Sequence, residues 1–238
     1  MTVTAALDLA IFDAADIDKV GSFYAELTGW DVVRQDSDRF GVRAPDGQEV
    51  EFQRAPDHVA PRWPGQAYPQ QFHLDLRTED PGAQAERAVG LGATRLADGP
   101  NWITLADPAG HPFDLCQFDG VGARMQLFAV TIDAADPSAL GRFYADLTGM
   151  EQSYDGPEGA FVTDGRRNLL FQRINDEYNP PRWPDPAYPQ QAHLDLRVRD
   201  LDAGTARAVE LGATRLDAGD DGFRVFTDPA GHPFCLVR

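Results

Sequence analysis

Cysteine is scarce in this chain of 238 residues; Cys116 and Cys235 are the two present. Two thiols cannot build the disulfide scaffold on which small secreted domains depend, which points to reduced thiols in a cytoplasmic protein. Lysine is scarcer still, with Lys19 alone among 21 basic residues that face 38 acidic ones. The formal charge of −17 argues against nucleic acid and anionic membrane surfaces as partners, because both would be repelled. No apolar run approaches the roughly 18 residues of a membrane helix. The opening MTVTAALDLA has neither the basic nor the apolar stretch of a leader peptide. Nucleophile and phosphate motifs are missing too: there is no G-x-S-x-G, no glycine-rich phosphate loop and no Cys–His–Asn arrangement. What is present is 42% hydrophobic and 10% aromatic content, the composition of a globular protein long enough for two small domains.

The chain repeats itself. PRWPGQAYPQQFHLDLR (61–77) returns as PRWPDPAYPQQAHLDLR (181–197) with 14 of 17 positions identical. FYAELTG (23–29) returns as FYADLTG (143–149), LGATRL (91–96) at 211–216, and DPAGHPF (107–113) at 228–234. Two copies of about 120 residues follow, 1–120 and 121–238, with FDGVGAR as the junction.

A weaker periodicity divides each copy again. Asp16 is placed to N-cap a helix that carries Ile17, Val20, Tyr24 and Leu27 on one stripe and ends at Gly29. Asp80-Pro81 opens a second helix with Ala85, Ala88, Val89 and Leu91 inward and Gly92 closing it. Asp136 to Gly149 and Asp200 to Gly212 repeat the pair. Each helix follows one alternating strand and precedes three short ones, with turn chemistry at Pro45-Asp46-Gly47 and Asp107-Pro108-Ala109-Gly110. The unit is strand–helix–strand–strand–strand, used four times.

With the D-x(6)-FY-x(3)-TG helix, the HLDLR strand and the DPAGHPF turn in this order in both copies, the chain resembles the vicinal oxygen chelate superfamily. That superfamily includes glyoxalase I, extradiol dioxygenases and bleomycin-resistance proteins. The resemblance implies an α+β fold of four βαβββ modules (about 4–54, 72–118, 124–173 and 192–238) in two tandem glyoxalase-like domains, with curved mixed sheets around a cavity. It also implies ligand positions on the first and last strand of each module. Carried over to residues 1–120, these are Leu9, Gln53 (or Glu51 on the same face), His73 and Asp114. In 121–238 they are Ala129, Gln172, His193 and Cys235. The expectation is that each half encloses its own site, so that His73 lies near Asp114 with Gln53 or Glu51 opposite. Leu9 and Ala129 leave both sets short of an extradiol-type two-histidine, one-carboxylate site and of a glyoxalase-type carboxylate pair. His73 and Asp114 are the candidate ligands for a divalent metal (zinc, nickel, manganese or iron), with Asp75 orienting the imidazole.

Other residues have plainer readings. His73 and His193 share their strand faces with Asp75 and Asp195, a face that would be solvated if it did not line a cavity. His111 and His232 read as turn residues, His58 as a surface residue without a counterpart, and Cys116 as a small hydrophobe. Trp63 and Trp183, in the proline-rich straps 55–71 and 175–191, either pin the strap or wall a cavity mouth against a flat ligand. Three functions compete on this evidence. One is a metal-independent small-molecule binder of the sequestering or resistance type; another is a divalent-metal lyase, isomerase or dioxygenase; the third is an interaction module with closed cavities. The first fits the incomplete ligand sets best. Two domains in one chain further suggest a monomer with a pseudo-dimeric domain pair, or a homodimer.

Overall fold

The computed structural model describes residues 5–174, 178–185 and 187–238. The strap expected at 175–191 therefore lies partly outside the described residues. Four βαβββ modules are present. The first comprises β1 (Ala6–Ala14), α1 (Ile17–Thr28), β2 (Asp31–Gln35), β3 (Arg39–Arg43) and β4 (Glu49–Arg54). The second comprises β5 (Phe72–Thr78), α2 (Pro81–Gly90), β6 (Thr94–Asp98), β7 (Trp102–Ala106) and β8 (Pro112–Gln117). The third is β9 (Gln126–Ala134), α3 (Pro137–Thr148), β10 (Glu151–Asp155), β11 (Gly159–Thr163) and β12 (Asn168–Arg173). The fourth is β13 (Ala192–Arg197), α4 (Leu201–Glu210), β14 (Thr214–Gly219), β15 (Phe223–Thr227) and β16 (Pro233–Val237).

The helices begin and end where their caps dictate. Asp16 accepts from the Lys19 amide at 3.0 Å and Asp136 from the Ala139 amide at 3.1 Å, while Gly29 and Gly149 close α1 and α3 at φ 75° and 76°. On the buried stripe of α1, Tyr24 stacks on Phe52 of β4 at 5.1 Å between ring centroids; Tyr144 of α3 repeats this on Phe171 of β12 at 5.4 Å. Ala85 and Ala88 of α2 are buried as their spacing predicts, but Val89 is 44% exposed. The apolar stripe of α2 is narrower than the sequence suggests, with Ala85 and Ala88 as its buried residues.

The modules do not pair in chain order. One eight-stranded sheet runs β14-β15-β16-β13-β1-β4-β3-β2 and the other β10-β11-β12-β9-β5-β8-β7-β6. The first module thus shares a sheet with the fourth, and the second with the third. The seams are antiparallel, β1 on β13 and β5 on β9, and each carries a register shift that bends its sheet, at Leu7/Leu9 and at Asp75/Leu76. This corrects the expectation that each sequence half encloses its own site. The physical reason lies in the straps: each PQQ segment hands the chain across to the other sheet. The Asp13 amide donates to the Gln191 carbonyl at 2.8 Å and the Asp133 amide to the Gln71 carbonyl at 3.1 Å. The Gln191 side chain then ties the straps together, donating to the Pro69 carbonyl at 2.8 Å and accepting from the Gln71 amide at 3.1 Å. Among the described residues no helix is long and apolar enough to cross a membrane.

Candidate functional site

Strand alternation gives each sheet one face on the helices and one face free of them. In the sheet of modules one and four, Ala10, Phe12 and Ala14 belong to the helix-side core. Leu9, Ile11 and Asp13 therefore point the other way. Register then aligns Leu9 with Asp195 and Glu49, Ile11 with His193 and Glu51, and Asp13 with Gln53. In the second sheet the same logic places Ala129 beside Asp75, Thr131 beside His73, and Asp133 beside Gln172. Gln53 and Glu51 accordingly lie with His193 and Cys235, not with His73. Gln172 lies with His73 and Asp114. Leu9, the apolar residue expected to blunt the His73 site, sits in the other cleft.

The first cleft is a cavity of about 600 Å³ whose lining includes Arg39, Gln53, Trp183, Gln190, His193 and Cys235. Phe223, Asp195 and Asp220 also line it. Arg39 lies 3.7 Å from Glu51 across the β3–β4 pair, and Arg34 lies 3.5 Å from the same carboxylate. Gln190 Nε2 stands 3.1 Å from both Asp13 oxygens and 3.0 Å from His193 Nδ1. Burial, reinforced by the Arg39 charge, drives His193 down to about 3, so its imidazole is neutral at physiological pH. Burial raises Asp195 to about 6 against the opposing pull of Arg39. It likewise raises Asp13 to about 6 despite the hydrogen bond from Gln190. Burial and the adjoining Asp195 carboxyl push the Cys235 thiol well above its usual range.

The second cleft has the opposite electrostatics. His73 Nε2 stands 3.6 Å from Asp75 Oδ1 and 4.0 Å from Asp114 Oδ2. The Thr131 hydroxyl and the Cys116 thiol both donate to Asp75, and Gln70 Nε2 bonds both oxygens of Asp133 at 3.1 Å. Burial alone would neutralise His73, but Asp75, then Asp114 and Asp133, outweigh it and lift the imidazole to about 9. Burial in turn raises Asp114, and raises Asp133 to about 6. His73 Nδ1 and Asp114 Oδ1 are buried without a hydrogen-bond partner among the described residues.

These donor sets differ in their fit to a metal ion. His73, Asp75 and Asp114 offer one nitrogen and two carboxylate oxygens within 4.8 Å of one another. Donors about 2.0–2.2 Å from one zinc ion stand about 3–3.6 Å apart, so modest side-chain adjustment closes this set around a divalent cation. His193, Asp195 and Cys235 satisfy the same distance. They fit worse, because Arg39 places a fixed positive charge beside them and the thiol holds its proton.

Comparison with known proteins adds the family. A model of the glyoxalase-like domain matches residues 10–116 and again 129–237. The chain belongs to the glyoxalase-like domain family. A search of curated proteins found no match. Among solved structures, glyoxalase I from Zea mays superposes with a TM-score of 0.65 at 17% identity, covering 98% of this chain and 92% of that one. A proposed dioxygenase from Bacillus subtilis gives 0.63 at 12% identity, covering 100% and 86%. The cppA protein from Streptococcus pneumoniae gives 0.56 at 13%, covering 99% of both chains. At these identities the likeness is one of fold, here a glyoxalase-like fold with all four modules represented.

Sequence reasoning missed Arg39, the Asp13/Asp133 pair and the glutamines that hold them. The doubled PQQ was a usable signal, since Gln70 and Gln190 hold the two aspartates in the same way. Trp183 lines the first cavity; Trp63 is half-buried in its strap. His58, read as a surface residue without a counterpart, instead packs 4.7 Å from the His111 ring and approaches the Ala109 carbonyl at 3.1 Å. Its counterpart 120 positions on is Tyr178, whose hydroxyl instead stands at hydrogen-bond distance, 3.1 Å, from His232 Nε2. His111 and His232 are fully buried and pair with Asp107 and Asp228 at 3.2 Å, which bears out their reading as turn residues.

Proposed function

We propose that the protein captures a small organic molecule in the cleft between modules one and four, without the help of a metal ion. Arg39 carries this reading. Its guanidinium lies among the groups where the superfamily holds its metals, and it reinforces the burial that keeps His193 neutral. A cation there would meet a fixed positive charge and an un-ionised thiol. An organic molecule would meet a cavity of about 600 Å³ with aromatic walls from Trp183 and Phe223 and amides from Gln53 and Gln190. That combination of apolar wall and few convergent polar groups is what small-molecule sites have in common. Sequestration needs nothing more. The test is calorimetry of a small-molecule panel against chelator-treated protein. The reading expects a ligand whose affinity ignores the chelator and falls about tenfold or more in Trp183→Ala; binding that depends on added metal would overturn it. Both clefts are complete within one chain, so the reading is satisfied by a monomer, which light scattering would check.

The second cleft favours a different reading, because His73, Asp75 and Asp114 form a donor set with no arginine at ion-pair distance among the described residues; there an incoming metal would displace the imidazole proton. Under that reading the protein is a divalent-metal-dependent lyase, isomerase or dioxygenase. A metal held there would polarise an oxygen of the bound substrate, and Thr131, by donating to Asp75, would fix the orientation of one of its ligands.

A further inference from the structure

Arg77 and Arg197 occupy the same place in the two copies, yet they are satisfied differently. Arg197 reaches the carboxylate of Asp8 at 2.5 Å across the β1–β13 seam. The residue corresponding to Asp8 is Phe128, 120 positions later, so Arg77 finds an aromatic ring where its twin finds an acid. Its guanidinium lies 4.4 Å from the centroid of Phe128 and 4.5 Å from that of Phe118. Two ring contacts hold a cation well but use its faces and leave the in-plane N–H donors unspent. Among the described residues no carboxylate lies within ion-pair distance of Arg77, and its buried Nε has no hydrogen-bond partner. The second sheet has Phe128 where its twin has the acid Asp8.

Arg77 lines a cavity of about 600 Å³ that does not include His73, Asp75 or Asp114. Phe128 and Phe161 form one wall, stacked at 5.7 Å and 23°. A second cation, Arg166, reaches over Gly47, where a Cβ would stand only 2.7 Å from its Nη2. The one acid in the wall, Asp46, is already engaged by the Gln48 side chain at 2.6 Å and the Gln48 amide at 3.0 Å. The wall therefore has net positive charge in a protein of −17.

We propose that this cavity is a second ligand site, one that takes an aromatic carboxylate. The ring lies along Phe128 and Phe161, and the carboxylate replaces the missing acid on the Arg77 edge, with Arg166 at the mouth. This site is independent of the capture proposed for the cleft between modules one and four. Calorimetry with 2-naphthoate tests it, using 2-naphthylmethanol as the uncharged analogue and circular dichroism to verify folding of each variant. One site for 2-naphthoate is expected. Its affinity should fall about tenfold or more in Arg77→Met, which keeps the apolar stem and removes the charged donors. Arg166→Met should weaken it less, Phe161→Ala should weaken it, and Arg39→Ala should leave it unchanged. The naphthyl alcohol should bind at least tenfold more weakly than the acid. The proposal is overturned if wild-type protein does not bind 2-naphthoate, if the alcohol binds as well, or if Arg77→Met binds like wild type. Loss in Arg39→Ala with retention in Arg77→Met would assign the compound to the other cleft.

Discussion

The two clefts are built from the same strands in the same order, and a few substitutions give them opposite chemistry. Both have a histidine with an aspartate two residues on, in the HLDLR strand, and both have a glutamine holding an aspartate of the seam strand. In one, Arg39 and Cys235 surround a neutral imidazole; in the other, Gly159 and Asp114 take those places around a charged one. The common strands supply a fold-level frame, and the charge of two positions decides what each cleft can hold.

The largest expected contrast is in the histidines. In chelator-treated protein, His73 should titrate near 9 and His193 should stay neutral down to about 3, as read by imidazole nitrogen shifts. His73 gains its proton on folding, so it adds stability that is complete below its ordinary 6.5 and lost as pH rises through 9. Asp75→Asn should lower the His73 value and shrink that window. Similar titration of both histidines would break the comparison.

A direct interconversion comes next. Arg39→Gly with Cys235→Asp gives the first cleft the second's residues at these two positions, and it should gain binding of manganese or zinc by about tenfold or more over wild type with His73 replaced by alanine as background. Calorimetry reads this; no gain would show that Arg39 and Cys235 are not what distinguishes the clefts. Removing Arg39 alone leaves Glu51, 6% exposed, with Arg34 as its remaining ion-pair partner, and should cost about 1–3 kcal/mol in a denaturant melt. The smallest effects belong to the glutamines. Gln70→Ala and Gln190→Ala should each cost about 1 kcal/mol, and by similar amounts, because each frees one buried aspartate. A large loss from only one of them would mean that the two straps do unequal work.

Much of this was legible in the sequence for a physical reason. Caps, stripes and turns are local, so Asp16, Tyr24 and Gly29 announce their helix without knowledge of anything distant. The repeat then multiplies a local reading by four. Pairing of modules is different, because β1 meets β13 across nearly the whole chain and either pairing satisfies the same alternation. His73 and Asp114 are close to each other as expected, since they sit on neighbouring strands of one module. Gln53 and Glu51 belong to a different sheet, because the strap crosses over before β5. Arg39 was invisible for another reason: its role comes from the side chains packed around it, and an arginine on a short strand beside a turn reads like any solvated one.

The most direct test of the two-cleft account is stoichiometric titration of zinc and manganese into wild type, His73→Ala and His193→Ala. One equivalent should bind to wild type, be lost in His73→Ala, and persist in His193→Ala, because the cation belongs to the cleft whose histidine is held among carboxylates. Binding that survives in His73→Ala and disappears in His193→Ala would place the cation beside Arg39 and contradict the account.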